Sequence, residues 1–298
     1  MFIKTLLVAV FLSIGFLLKK LNILKINDSK ILLNIVFFIA LPALIFNSFS
    51  KDIPLTASNI PLVLSSIFIL PICLTIAYIF KNIFNLPQSQ QKVFLISTMI
   101  ANTGFIIPYV KILNENTGLT YLFLIDIFNG ILAYTVAYYI SSPEYQKNNF
   151  KSIFLNLIKS PPLITIIFSI LINLYKINIP EEIYYITENI ASLVVPLILI
   201  SLGLCFNFSL SLFNYKVITP VAIRIFIGLI TAIGYCYMFN LEGLMRNCII
   251  IFSAAPVGYN TVIFANIKNL DTEYATNIIS LSIMLSIPFL PVLLTIIK

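Results

Sequence analysis

The sequence contains no histidine, and only 10% of its 298 residues are charged, against 60% that are hydrophobic. Without imidazole, acid–base or metal chemistry would need another set of groups. No metal-ligand cluster, nucleophile motif or phosphate-binding loop is present. The chain is therefore read as not an enzyme, with no catalytic residue, no metal and no resident cofactor. Soluble domains carry about 25% charged residues; the low charge here excludes that class and defines an all-α integral membrane protein. Paired cysteines are also missing. Cys73, Cys205, Cys236 and Cys248 stand singly in apolar runs, which excludes a disulfide frame and predicts buried free thiols. Acidic residues are few as well, 11 against 18 Lys and Arg, for a net charge of +7. The lysines fall between apolar runs rather than on one face. That pattern fits loops beside an anionic bilayer and argues against nucleic acid as a partner.

Ten apolar segments fill the chain, each near the length of about 20 residues that a spanning helix needs. They are expected at about 2–18, 31–48, 60–80, 93–113, 119–140, 161–175, 183–206, 217–239, 244–267 and 274–297. The first has the basic start and apolar run of a signal peptide. It lacks a small-residue cleavage pattern and ends at Lys19-Lys20, so it is read as the first span. A polar stretch at 141–160 separates a first five-helix repeat, 1–140, from a second, 161–298. A shift of 154 residues, the spacing of Pro42 and Pro196, also lays Lys92 on Arg246, Ala101 on Ala255, Gly104 on Gly258 and Phe105 on Tyr259. Because five is odd, the second repeat must enter the membrane inverted. Loops after odd-numbered spans hold eleven Lys, against six Lys or Arg on the other face. Those loops are therefore expected in the cytoplasm of a multi-pass protein of the cell (inner) membrane, with both termini outside.

Two stretches break the apolar pattern in its middle: Ala101-Asn-Thr-Gly-Phe-Ile-Ile-Pro108 in the fourth span and Ala255-Pro-Val-Gly-Tyr-Asn-Thr261 in the ninth. Backbone that leaves the helix at membrane depth survives only when buried in protein or lining a cavity. Matching interruptions in two halves point to a transporter's binding site. Half-helix N-termini there would offer partial positive charge and free N–H donors to an anion. The substrate-binding candidates are Asn102, Thr103, Gly104, Pro108, Pro256, Gly258, Asn260 and Thr261. Gly104 and Gly258 are expected to let the two irregular backbones approach or cross.

Three further residues are coupling or gating candidates. Asp126, with Asn129 one turn on, is an ionisable group deep in the fifth span. A coupling role and a structural pairing, with Arg224 for instance, are both open for it. Arg224 in the eighth span can attract an anion, satisfy a helix end or snorkel. Pro42, Pro71, Pro196 and Pro288 are read as tolerated kinks.

Asn102-Thr-Gly-Phe with Pro108, Ala255-Pro-Val-Gly-Tyr-Asn260 followed by Ala265, and Ser280, Ser282 and Ser286 before Pro288 resemble the signature regions of the auxin efflux carrier family. That family includes plant carriers and bacterial permeases for dicarboxylates such as malate and malonate. The resemblance covers the whole ten-span layout. It implies a fold like that of sodium/bile-acid symporters, with a scaffold part, a transport part, and spans 4 and 9 broken and crossing. It also implies substrate contact by Asn102 and the Pro256–Asn260 stretch. The chain departs from the family pattern at Ile106, where glycine is usual, and Asn102 stands one residue closer to the proline. The long hydrophilic loop of many plant members is absent.

The leading expectation is a secondary transporter for small organic anions, dicarboxylates or auxin-like carboxylates, working by alternating access. Coupling to protons would fall to Asp126; sodium coupling would need several oxygens converging near the breaks. A scaffold or sensor would leave both breaks without a purpose. A homodimer is compatible with the sequence.

Overall fold

The computed structural model describes residues 2–50, 56–114, 116–142, 160–207 and 210–297. Of the polar connection expected at 141–160, residues 143–159 lie outside the described residues. Every apolar segment is helical, and the described residues contain no strand. The helices are α1 (Phe2–Lys20), α2 (Ile26–Phe49), α3 (Ala57–Phe80), α4 (Gln88–Met99), α5 (Thr103–Leu113) and α6 (Thr117–Ser141). The second half supplies α7 (Pro161–Leu174), α8 (Glu181–Cys205), α9 (Tyr215–Met238), α10 (Gly243–Ser253), α11 (Asn260–Ile267) and α12 (Thr272–Ile297). Among the described residues, α2, α3, α6, α8, α9 and α12 are long and apolar enough to cross a membrane. The protein is thus an integral membrane protein with multiple membrane-crossing helices.

Several helices are irregular at identifiable places. α2 has a π-helical turn at Val36–Ala40 just before Pro42, and α9 has one at Ile223–Ile227 just after Pro220. α6 has a third at Ala133–Ala137. α8 is interrupted at Leu193, three residues before Pro196. A proline lacks the N–H that its helix needs and crowds the carbonyl four residues back, so kinks collect beside it.

Two bundles result. α1, α2, α7 and α8 pack on one another, and α3 to α6 pack with α9 to α12. In the first bundle α1 and α8 come close through a pair of glycines. A Cβ on Gly203 would run into the Leu12 carbonyl oxygen, and one on Gly15 into that of Ile200. Small residues at such a contact let backbones approach and gain dispersion contacts that lipid does not supply. In the second bundle, α3 packs along α6 and bonds to it: Ser66 Oγ donates to the Ile125 carbonyl at 2.7 Å.

Helix ends meet in a consistent set. Lys19 at the end of α1 donates to the Phe206 carbonyl just after α8. Lys92 reaches the Ser142 carbonyl after α6 at 2.8 Å, and Lys268 after α11 reaches the Tyr138 hydroxyl at 2.7 Å. Gln90 bonds Asp271 at 2.8 Å. Apolar side chains such as Ile79, Phe168, Ile230 and Ile296 are exposed, as lipid-facing residues are. All four cysteines are buried and free.

Gly203→Val should lower the unfolding midpoint of the detergent-solubilised protein by several degrees, since overpacking against backbone costs about 1–3 kcal/mol. Gly234→Ala, with nothing within 4 Å of the added carbon, should leave it unchanged. A fluorescence melting curve of both variants reads the difference.

Candidate functional site

The two interruptions meet. α4 stops at Met99 and α5 starts at Thr103, while α10 stops at Ser253 and α11 starts at Asn260. Between them Ala101 and Val257 form an isolated antiparallel bridge. Asn102 N–H donates to the Pro256 carbonyl at 2.9 Å, and Gly258 N–H donates to the Ile100 carbonyl at 2.8 Å. A peptide outside a helix has no water to bond in hydrocarbon; here each interruption is the other's partner. Gly258 is required by this contact, because a Cβ there would collide with the Ile100 side chain and lie 3.0 Å from the Ala101 carbonyl oxygen.

Side chains from the helices that follow each interruption complete the pairing. Asn129 on α6 accepts from Ala101 N–H at 3.1 Å and returns a bond to the Ala101 carbonyl at 3.2 Å. Ser282 on α12 accepts from Val257 N–H at 3.1 Å. Arg224, fully buried on α9, donates through Nη1 to the Ser253 carbonyl at 3.0 Å and through Nη2 to that of Phe252 at 3.3 Å. It thus satisfies the C-terminal carbonyls of α10 and offsets the partial negative charge there. Of the roles open for Arg224 from the sequence, the geometry selects the helix-end one. Asp126 bonds elsewhere, to Thr103 Oγ1 and to Asn129 Nδ2 at 2.8 Å.

The half-helix N-termini are unequal, although the sequence leads one to expect two alike. α5 runs 11 residues and is capped by Asn102, whose Oδ1 accepts from Phe105 N–H at 3.2 Å. That leaves the Thr103 and Gly104 amides as first-turn donors. α11 runs 8 residues and spends its first-turn donors internally: Thr261 N–H goes to the Gly258 carbonyl at 3.0 Å and Val262 N–H to that of Tyr259 at 3.0 Å. The stronger anion-facing end is therefore that of α5.

A cavity of about 470 Å³ lies against the crossing, between the two bundles. Asn102, Thr103, Gly104, Asp126, Asn129, Gly258 and Asn260 line it from one side. α2, α7 and α8 close the other side with apolar residues, among them Leu33, Phe37, Leu163 and Ile198. Among the described residues Asp126 is its only charged lining residue, and none of their Lys or Arg side chains lines it. Tyr134, two turns beyond Asp126, faces the Asn260 side chain. Asn102 Nδ2 is buried with no hydrogen-bond partner among the described residues.

Four candidates stand differently from the expectation. Pro108 lies inside α5, buried, and outside the interruption, which ends at Asn102; the helix loses one backbone bond there and continues. Pro256 gives its carbonyl to the crossing and does not line the cavity. Thr261 is fully buried, with its hydroxyl lacking a partner among the described residues. Gly104 serves the contact between bundles rather than the backbone crossing, since the space a Cβ would take is filled by Ile198 of α8, 2.6 Å away. Residues that the sequence did not single out are Tyr134, Ser282 as a ligand of the break, and the apolar α2 face. Tyr134 had a signal, falling at i+8 from Asp126 on the same face.

Crossed, interrupted helices above a cavity between two bundles belong to the class of membrane transporters. A family model described as membrane transport protein matches residues 1–294, and the chain belongs to that family, the auxin efflux carriers. It is similar to an uncharacterized transporter of Methanocaldococcus jannaschii, 29% identical over 279 residues covering 90% of this chain and 89% of the relative. An uncharacterized transporter of Methanothermobacter thermautotrophicus is 26% identical over 298 residues, covering 95% of this chain and 94% of the relative.

Asn129→Ala strips both backbone groups of Ala101 of their side-chain partner, and Ser282→Ala does the same to Val257 N–H. Each buried group left unpaired costs about 1–3 kcal/mol. Asn129→Ala is expected to lower the melting midpoint more than Ser282→Ala, and the double variant to fall further than either, in a thermal scan of protein in detergent.

Proposed function

We propose that this protein is a secondary carrier for small organic anions, dicarboxylates or auxin-like carboxylates, which bind at the crossing and move by alternating access. The observation that carries this reading is the pairing of Ala101 with Val257 at the wall of a cavity. The site offers the α5 N-terminus, the unpartnered Asn102 amide and the Asn260 side chain as donors to a carboxylate. Apolar α2, α7 and α8 would hold the carbon skeleton. A volume of about 470 Å³ is within the usual range for small-molecule sites.

The same reading takes the chain as ten spans in a 5+5 inverted repeat, with repeats at 1–140 and 161–298. Irregular turns support it, because under the shift of 154 residues each falls on a proline or an interruption of its counterpart. The π turn at Val36–Ala40 falls on 190–194, where α8 is interrupted at Leu193. The one at Ala133–Ala137 falls on 287–291, with Pro288 and Pro291, and Pro71 falls within that of α9. The bundle of α1, α2, α7 and α8 would be the scaffold, the other the transport part.

The lysine balance places the ends after odd-numbered spans in the cytoplasm and both termini outside the inner membrane. The cavity reaches Asn34 near the start of α2, Ser160 and Pro162 at the start of α7 and Tyr134 toward the end of α6. In that orientation they belong to the cytoplasmic side, which supports reading the conformation as open to the cytoplasm.

Counterflow uptake of labelled malate or malonate into proteoliposomes tests the function. Asn102→Ala and Asn260→Ala are each expected to cut uptake at least about tenfold, equivalent to 1.4 kcal/mol, while leaving a folded, membrane-inserted protein. Undiminished uptake in both would remove the site from the crossing. Sidedness is read separately: Asn34→Cys and Ser160→Cys should react with a membrane-impermeant thiol reagent applied from the cytoplasmic side and be protected from the outside. Labelling only from outside would reverse the orientation.

A further inference from the structure

We infer that Asp126 is the proton site of the carrier, and that its free oxygen takes up a proton when an anion enters the cavity. This rests on the organic-anion reading above. Three observations carry it. Among the described residues Asp126 is the only charged one lining the cavity, so an anion arriving beside the ionised carboxylate meets a like charge with no side-chain cation among them to offset it. Both bonds made by its side chain, from Thr103 Oγ1 and Asn129 Nδ2, fall on Oδ1; Oδ2 is left for a proton. Through Thr103 and Asn129 the carboxyl is also bonded to the first break itself, because Asn129 holds both backbone groups of Ala101.

The surroundings favour a proton over a metal cation. A sodium ion at this place would need several oxygens at once. The Asn129 oxygen is engaged by Ala101 N–H, the Asn102 oxygen by Phe105 N–H, and the Thr103 hydroxyl oxygen by Asn129 Nδ2 at 3.4 Å. A proton needs only Oδ2. No histidine exists in the chain to share the titration. The groups facing Asp126 are Thr103 from α5 and Asn129 and Tyr134 from its own helix, with Tyr259 across the cavity held by Ser29 at 2.9 Å. On the other helices packed against α6, the titratable groups are Tyr109 and Lys111 of α5, Cys73 and Tyr78 of α3, Arg246 and Cys248 of α10, Asp28 and Lys30 near the start of α2, Lys92 of α4, and Lys268 just after α11, the last two bonded to the Ser142 carbonyl and the Tyr138 hydroxyl at the far end of α6. None of these is bonded to Asp126; Cys248 bonds the Gly118 carbonyl two turns away.

The step balances. Water delivers one proton to the Asp126 carboxylate, giving a neutral acid, and one carboxylate anion binds; on the far side both leave. For a monoanion the occupied transport part carries no more charge than the empty one. The sign follows from this linkage: anion affinity is highest where Asp126 is protonated, and it falls as pH rises above its pKa.

Equilibrium binding of indole-3-acetate and of malonate to the full-length protein in detergent tests the inference from about pH 7 to about pH 9, where the carboxylates of both probes are ionised. In the wild type the affinity should fall by at least about tenfold across the range, with one proton taken up per anion in weakly buffered solution. Asp126→Asn, which keeps Oδ1 as an acceptor, should bind with less than about threefold change across the range and more tightly than wild type at its upper end. An unchanged pH slope in Asp126→Asn, a wild type that takes up no proton, or a tenfold response to sodium at fixed pH would overturn the assignment and leave the carrier reading standing. Failure of both probes to bind the wild type at any pH would overturn the anion reading and the proton site together. If the variant does not fold, the proton count on the wild type still decides.

Discussion

Two peptide groups that cannot reach water hold this molecule together. In hydrocarbon an unpaired N–H or carbonyl costs several kcal/mol, and a helix interrupted at mid-depth exposes such groups on both sides of the gap. Here the gaps are placed so that Ile100–Asn102 and Pro256–Gly258 answer one another through two backbone hydrogen bonds of a single antiparallel bridge. The residues around it follow from that requirement: Asn129 and Ser282 take the remaining groups, Gly258 admits the partner backbone, and Arg224 closes the carbonyl end of α10.

The electrostatics of the crossing are then set by what remains unpaired. Of the two broken-helix C-termini, α10 is quieted by a guanidinium and α4 gives the Ile100 carbonyl to Gly258. Of the two N-termini, α11 turns its donors inward and α5 keeps some outward. The site that results is polarised toward α5, with a carboxyl group one hydrogen bond from that same helix end. A partial positive end and an ionisable acid lie close together there, which is the arrangement the inferred proton site draws on.

Much of this was legible in the sequence. The positions of both interruptions showed because glycine, proline and asparagine punctuate otherwise uniform apolar runs. The depth of Asp126 and the companionship of Asn129 showed through helical spacing. The pairing of Ala101 with Val257 did not show, since backbone-to-backbone bonds carry no side-chain signature. Pro108 was grouped with the first interruption because proline breaks helices in general; within α5 the loss of one N–H is tolerated by a helix buried among its neighbours. The lining supplied by Leu33, Phe37 and Ile198 was illegible for the opposite reason: an apolar residue on an apolar helix stands out from nothing. Ser282 looked like one serine of several, and only its distance to Val257 N–H separates it from Ser286, whose hydroxyl lacks a partner among the described residues.

The hydrogen bonds of the crossing all lie within one bundle, while the face that this bundle turns toward α2 and α8 is largely greasy. Polar links across the seam include Ser29 with Tyr259 at 2.9 Å, Thr120 with the Ser48 carbonyl at 2.5 Å, and Asn207 N–H with Ser280 at 3.1 Å. Each such latch is worth about 1 kcal/mol net. Sliding one slab past the other would trade one oily contact for another and unfasten a handful of latches, with the knot of interrupted backbone carried along intact. The hard-won order at the centre need never be undone for the molecule to change its outlook.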